Sequence, residues 1–353
     1  MTVAVQAFAM RRVLWGRFTT SHAKVIASCA LLAALPIVSS SYHLFQINLV
    51  IIDAIAILGL NLLTGYGGQI SLGHGAFYGL GAYTTAILIH RWNVPYPLTL
   101  PCAAIVCLTL GFAFGLPAVR LQGLHLALAT FALGVVFPQI LKCRALEGLT
   151  GGVQGITIDK PTAPLGLALS ADQWLYCVLL AVAAVVFLAV RLLVQGPTGR
   201  AIMAIRDRPV AAASVGIDTA LYKSLTFGVS AMCTGVAGAL GALAVQFVGP
   251  DSFSIFLSIG LLVGIVVGGL ASISGAVYGA LFIQFVPSLA DSVSKAAPTA
   301  VYGVALIASV HLMPYGAAGV VSGIARRLAA RARRRSKPAV APAREVPAPE
   351  EGP

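Results

Sequence analysis

Six polar side chains lie within or between long apolar runs: Asp53, Asn61, Thr64, Gln69, Ser71 and His74. Polar groups are expensive at membrane depth. An Asp at the centre of a membrane helix costs roughly 2.5–3.5 kcal/mol on insertion scales, so such residues are functional candidates. The chemistry they offer is recognition rather than bond-making. A helix starting near Ser71–His74 would present backbone N–H groups and a positive dipole end, which suit a carboxylate. Unwound carbonyls beside it could receive an ammonium group. A zwitterionic amino acid with an apolar side chain would satisfy both. Plainer readings stand beside these. A single His at a helix start serves as a cap or packing residue, and Asp53 could face a water-filled vestibule or be protonated.

The element that must position these groups is the stretch from Thr64 to Tyr83, which holds seven glycines and no formal charge. Gly67, Ser71, Gly75 and Gly79 recur every four residues. On one helix they form a small-residue face that permits close helix packing, an alternative to lining a solute path. The glycines also allow non-helical backbone, tolerated at membrane depth only where it is buried in protein or lines a cavity. No Lys-Ser/Thr follows the glycines, so the stretch is not a phosphate loop. Its Gly75-Ala76-Phe77-Tyr78-Gly79 is echoed by Gly275-Ala276-Val277-Tyr278-Gly279, each after a double glycine, Gly67-Gly68 and Gly268-Gly269. Gly264, Gly268, Gly275 and Gly279 are expected to pack helices in the second copy.

The 353 residues are 58% hydrophobic and 10% charged, against roughly 25% charged in soluble domains. This places the chain among membrane proteins, and a net charge of +12 reflects topology rather than nucleic-acid binding. Ten apolar runs are candidate spans: 24–42, 44–63, 74–90, 97–119, 121–141, 172–193, 222–244, 254–271, 275–290 and 300–315. The short third and ninth runs would either tilt little or be broken or re-entrant. With the N-terminus inside, only Arg91, Lys142, Arg144, Lys160 and Lys295 fall outside, and the other 18 of 23 Lys and Arg lie inside. The expected fold is therefore an all-α polytopic membrane protein of about ten transmembrane helices with both termini cytoplasmic. It divides into an N-terminal segment 1–23, a permease domain 24–315 and a tail 316–353, basic and then disordered. The six cysteines are scattered without a CxxC pair, so neither a metal site nor a disulfide framework is expected. No HExxH, GxSxG or GxxxxGK[ST] motif is present, so no catalytic residues, metal or cofactor are expected.

The inner linker 195–221 is far longer than a typical connection of about 4–6 residues and should carry structure of its own. Pro197, Thr198 and Gly199 mark a helix start, Asp207 and Pro209 end one helix and open a second, and Gly216 fits a stop. The two short helices would expose charged residues beside small apolar ones, a surface suited to a groove on a cytoplasmic partner. Scarce intramembrane acids argue against ion coupling, so uphill transport would draw on a partner's energy.

The sequence LNLLTGYGGQISLGHGAFYGLGAY at 60–83 resembles the signature of the larger permease subunit of branched-chain amino acid ABC importers, the LivM type. GRAIMAIRDRPVAAASVGID at 199–218 resembles the loop by which such permeases contact their ATPase, and TGGVQGI at 150–156 also fits. The loop departs from the usual pattern at Arg208-Pro209 and at Ala211–Ala213, where an acidic residue is common. The resemblance implies a type II importer-like permease in the cell inner membrane, with a second permease subunit, cytoplasmic ATP-binding subunits and an extracytoplasmic binding protein. It implies ATPase coupling through Gly199, Arg200, Ile205, Arg206, Asp207 and Gly216. The implied substrate is a branched-chain or similar small amino acid. Urea, short amides and other small solutes of the same class, or a stand-alone carrier or channel, are the alternatives.

Overall fold

The computed structural model describes residues 40–324 other than 122, 164–169, 294 and 296, and it is predominantly helical. Residues 24–39 of the first run and the tail beyond 324 lie outside the described residues. The principal helices are α1 (Ser41–Asn61), α2 (His74–Trp92), α3 (Tyr96–Ala118), α4 (Leu124–Leu141), α5 (Arg144–Thr150) and α6 (Ala171–Gln195). They are followed by α7 (Pro197–Asp207), α8 (Pro209–Ser214), α9 (Thr219–Val245), α10 (Ile255–Gly268), α11 (Ile273–Val293) and α12 (Pro298–Leu312). A π turn, Leu62–Tyr66, extends α1.

Among the described residues six helices are long and apolar enough to cross a membrane, or seven if the pair Thr299–Leu312 and Gly316–Ile324, bent by 49°, is one span. Of the two alternatives for the short runs, the structure has the unbroken one, and the irregular spans lie elsewhere. The third and ninth runs form the continuous helices α2 and α11, of 19 and 21 residues. The eighth run is the short helix: α10 has 14 residues, about 21 Å of rise against a core of about 30 Å. Gly269, at φ 120°, ends it. The tenth run breaks at Met313–Tyr315, where Pro314 can donate no backbone hydrogen bond.

Helices α1 with its π turn and α9 form the centre, 72% and 83% buried over their most apolar stretches, while α3, α4, α6 and α11 wrap them with a third or less buried. Hydrophobicity cannot drive helices together in lipid, so close packing must. The glycines and alanines of α9 permit it. A Cβ at Gly228 would lie 3.1 Å from the Leu108 carbonyl oxygen of α3. Gly81 of α2 meets the Gly235 backbone, and Gly238 meets that of Tyr78.

The two ends of the bundle differ. At the C-terminal end of α9, two short strands pair antiparallel, Ile156 with Val248 and Thr157 with Phe247. Beside them Lys142 Nζ reaches Asp251 Oδ1 at 2.6 Å, and Lys160 pairs with Asp172. At the N-terminal end of α9 lie α7 and α8, the two short helices expected within 195–221. The Asp218 carboxylate caps α9 by accepting from the N–H groups of Ala220 and Leu221, both at 3.0 Å.

Candidate functional site

The break between α1 and α2 lies where three distant segments meet. The π turn runs into Gly67 and then Gly68, whose φ of +68° favours glycine. Thr64 Oγ1 donates to the Gln69 carbonyl at 3.1 Å and closes the turn on itself. Asn61 is fully buried, and its amide is used at both ends. Nδ2 donates to the Ser272 carbonyl at 2.8 Å, and Oδ1 accepts from Ala271 N–H at 3.0 Å. The break before α2 is thereby tied to the break before α11. The Gly-Ala-x-Tyr-Gly echo thus occupies equivalent places: each copy opens a helix after a double glycine whose second member has positive φ.

Beyond the break, His74 forms a polar bridge between helices. Ser71 Oγ lies 2.8 Å from His74 Nδ1, His74 Nε2 lies 2.7 Å from Ser230 Oγ, and Ser230 Oγ donates to the Gly59 carbonyl at 2.6 Å. One assignment satisfies every group with a neutral ring: Ser71 O–H donates to Nδ1, and Nε2–H donates to Ser230. The bridge is closed to solvent and walled by Phe77 and Phe227, with ring centroids 5.9 and 5.8 Å from the imidazole. The amides at the start of α2 are engaged as well. Leu72 N–H donates to Thr130 Oγ1 at 3.0 Å, Gly75 N–H to Ser258 Oγ at 2.8 Å and Ala76 N–H to the Gly73 carbonyl at 3.0 Å. Three of the N–H groups that the sequence suggested for a carboxylate are thus occupied by the protein's own oxygens.

Asp53 stands apart from the other five. It is partly buried on α1. Gln69 is buried and lines a small groove with Ile202 and Ile205 of α7 and Tyr222 and Thr226 of α9. The six polar residues therefore form three groups rather than one: the break (Asn61, Thr64, Gln69), the bridge (Ser71, His74) and Asp53. Of the packing glycines, a Cβ at Gly75 would lie 2.7 Å from Ser258 Oγ, one at Gly79 2.8 Å from the Phe253 ring, and one at Gly264 2.6 Å from Ile57 Cδ1. A Cβ at Gly67 would lie 2.6 Å from the Leu63 carbonyl oxygen. Gly268, Gly275 and Gly279 lie against one another's and Gly264's backbone.

Helix α7 is laid directly on this break. Arg206 Nη1 donates to the Gly65 carbonyl at 2.9 Å, while Nε donates to Asp207 Oδ1 at 2.9 Å. The arginine stem crosses Gly68, where a Cβ would come within 2.6 Å of Arg206 Cγ. Carbonyls in the last turn of a helix lack intrahelical partners, and a cation there also complements the dipole. Gly199 packs on the Val194 backbone, Ile205 is buried, Arg200 is exposed, and Gly216 ends α8 at φ +86°. Sequence reasoning missed Val210 and Val215, 83% and 76% exposed at α8. It also missed Ser230, Ala271 and Ser272, which come near Asn61 and His74 only through the fold.

The chain matches the family described as the branched-chain amino acid transport system / permease component over residues 43–310. It is 32% identical over 283 residues to the high-affinity branched-chain amino acid transport system permease protein LivM of Escherichia coli (strain K12), covering 73% of this chain and 66% of that protein. It is 33% identical over 250 residues to the LivM protein of Salmonella typhimurium (strain LT2), covering 64% of this chain and 58% of the relative. The chain thus spans about two thirds or less of the length of these curated relatives. No solved structure matches it.

Proposed function

Because this chain belongs to the branched-chain amino acid transport system / permease component family, we propose that it is the membrane-spanning subunit of an ATP-driven importer for branched-chain or similar small amino acids. It is a multi-pass inner-membrane protein. In this reading it crosses the membrane about ten times with both termini in the cytoplasm. A second permease chain completes the pathway, separate ATP-binding subunits supply the energy, and an extracytoplasmic binding protein delivers the substrate.

The observation that carries this reading is the seating of α7, through Arg206, on the Gly65–Gly68 break. ATP binding closes the ATPase pair, the short helices follow, and the break passes their displacement to α1 and α2. An effector shifts a conformational equilibrium only if it binds one state better, so the ATPase must grip α7 and α8 differently in the two states. Of the six polar residues, Asp53 is our candidate for contact with the passing solute. Asn61, Thr64, Gln69, Ser71 and His74 hold the shape of the path. Gly199, Arg200, Ile205, Arg206, Asp207 and Gly216 form and seat the coupling helices.

Reconstitution in vesicles tests the proposal. The chain assembled with a second permease, ATPase and binding protein should accumulate leucine, isoleucine or valine only with ATP, and the chain alone should be silent. Uptake by the chain alone would favour a carrier or channel. ATP-driven uptake of urea or a short amide, without leucine, would keep the mechanism and change the substrate.

A further inference from the structure

Asn61 is placed as a joint between two moving parts. On one side, four residues along the chain, Gly65 carries the carbonyl that Arg206 holds at 2.9 Å. On the other, the Asn61 amide grips both the N–H of Ala271 and the carbonyl of Ser272. The two sides also touch directly: a Cβ at Gly65 would lie 2.5 Å from Ala271 N. The gripped segment has no regular structure. Gly269 has φ 120° and Ala271 φ 54°, a left-handed backbone that a residue with a Cβ rarely adopts. Ala271 N–H takes Asn61 Oδ1 as its partner. Past this segment, a Cβ at Gly316 would come within 2.6 Å of Gly269 N, so the start of the Gly316–Ile324 helix rests on the same loop.

We propose that Asn61 is a positioning residue of the energy-coupling machinery. It staples the break before α2 to the break before α11, so that a displacement of Arg206 moves α10, α11 and the Gly316–Ile324 helix together with α1 and α2. This rests on the ATP-driven importer reading above. The physical reason is reach. Of the two breaks, Arg206 holds the one at Gly65–Gly68, and among the described residues the Asn61 amide supplies the hydrogen bonds that join the loop at 269–272 to it. A neutral amide is suited to the joint because it must donate to one backbone group and accept from another. Aspartate keeps the acceptor but sets an oxygen against the Ser272 carbonyl, and leucine keeps the volume and removes both bonds.

The test compares the assembled wild-type importer with Asn61→Leu, Asn61→Asp and Asn61→Ser, all rates taken per assembled complex. Two buried hydrogen bonds predict a fall of about ten-fold or more in the maximal rate of ATP-driven uptake for Asn61→Leu. The concentration of loaded binding protein giving half-maximal rate should stay unchanged, and so should ATP hydrolysis without binding protein. Stimulation of hydrolysis by loaded binding protein should be lost in parallel. A raised half-maximal concentration with wild-type maximal rate would make Asn61 a substrate contact and overturn the proposal. So would wild-type stimulation in all three variants, or failure of all three to assemble, which would make Asn61 a folding residue only. If the wild-type assembly itself shows no ATP-driven uptake, the importer reading fails first, and the variants are not what decides it.

Discussion

His74 and Ser230 meet 2.7 Å apart, Nε2 to Oγ, although 156 residues separate them in the chain. Ser230 serves two partners at once, accepting from the imidazole and donating to the Gly59 carbonyl. Ser230→Ala leaves the buried imidazole N–H unpaired and removes one of two donors from the Gly59 carbonyl, which keeps the Leu62 N–H. An unpaired buried donor costs about 1–3 kcal/mol. The thermal midpoint of the detergent-purified protein should therefore fall clearly. It should fall less for Ser71→Ala, which strips the ring of one partner and otherwise weakens only a long 3.4 Å contact from Gly73 N–H. Equal midpoints for wild type and Ser230→Ala would show that the bridge contributes nothing to stability.

Arg206 is held at one end by Asp207 and at the other by a backbone carbonyl. Arg206→Glu replaces a donor with an acceptor facing that carbonyl and reverses the charge at the end of α1. A hydrogen bond to a charged group is worth about 1.5–3 kcal/mol, so ATP-driven uptake should drop at least about ten-fold. Arg206→Lys keeps the charge but cannot supply both donors from a planar fork, and it should fall between the two. Normal uptake by Arg206→Glu, with the ATPase normally bound, would remove Arg206 from the coupling route.

The packing glycines divide sharply by their surroundings. A Cβ at Gly279 would lie 2.7 Å from the Gly264 carbonyl carbon and 3.1 Å from its Cα, all backbone that cannot swing aside. Gly279→Ala should destabilise by about 1–3 kcal/mol, the usual range for overpacking. Gly260, on the same helix as Gly264, is different: a methyl placed there would have nothing within 4 Å. Gly260→Ala should be neutral or stabilise by about 0.5–1 kcal/mol through backbone entropy. Thermal midpoints of the two variants decide this. A loss at Gly260 as large as that at Gly279 would show that close approach does not set the cost, since helix propensity favours alanine at both positions.

Local signals were readable in the sequence and relationships across the chain were not. The two short helices at Pro197–Asp207 and Pro209–Ser214 follow from Pro197, Pro209 and Gly216, because proline and glycine act on their own backbone. The Gly-rich break was visible for the same reason. Its polar residues looked like one cluster because they fall within 14 positions, from Asn61 to His74. In space they diverge, since the π turn and the positive φ at Gly68 turn Asn61 toward Ala271 and His74 toward Ser230. Hydropathy located the apolar run at 254–271 but not its length as a helix. A double glycine shortens α10 without changing how apolar the run is.

Val210 and Val215 define the last expectation. Both project from α8 into solvent, 83% and 76% exposed, while Ala212 between them is buried against the protein. An exposed apolar pair on a helix of six residues gains nothing from the chain's own core, and its burial must come from association. With Arg208 alongside, it suits a partner groove that has an apolar floor and an acidic rim. Val210→Glu should abolish co-purification of the ATPase and with it ATP-driven uptake. Membrane insertion and thermal midpoint should not change, because no internal contact is removed. Val210→Leu should retain binding, since only apolar area is required of this position. If Val210→Glu and Val215→Glu both bind the ATPase as the wild type does, α8 is not the docking surface, and the contact with the ATPase must be sought on the exposed face of α7 around Arg200.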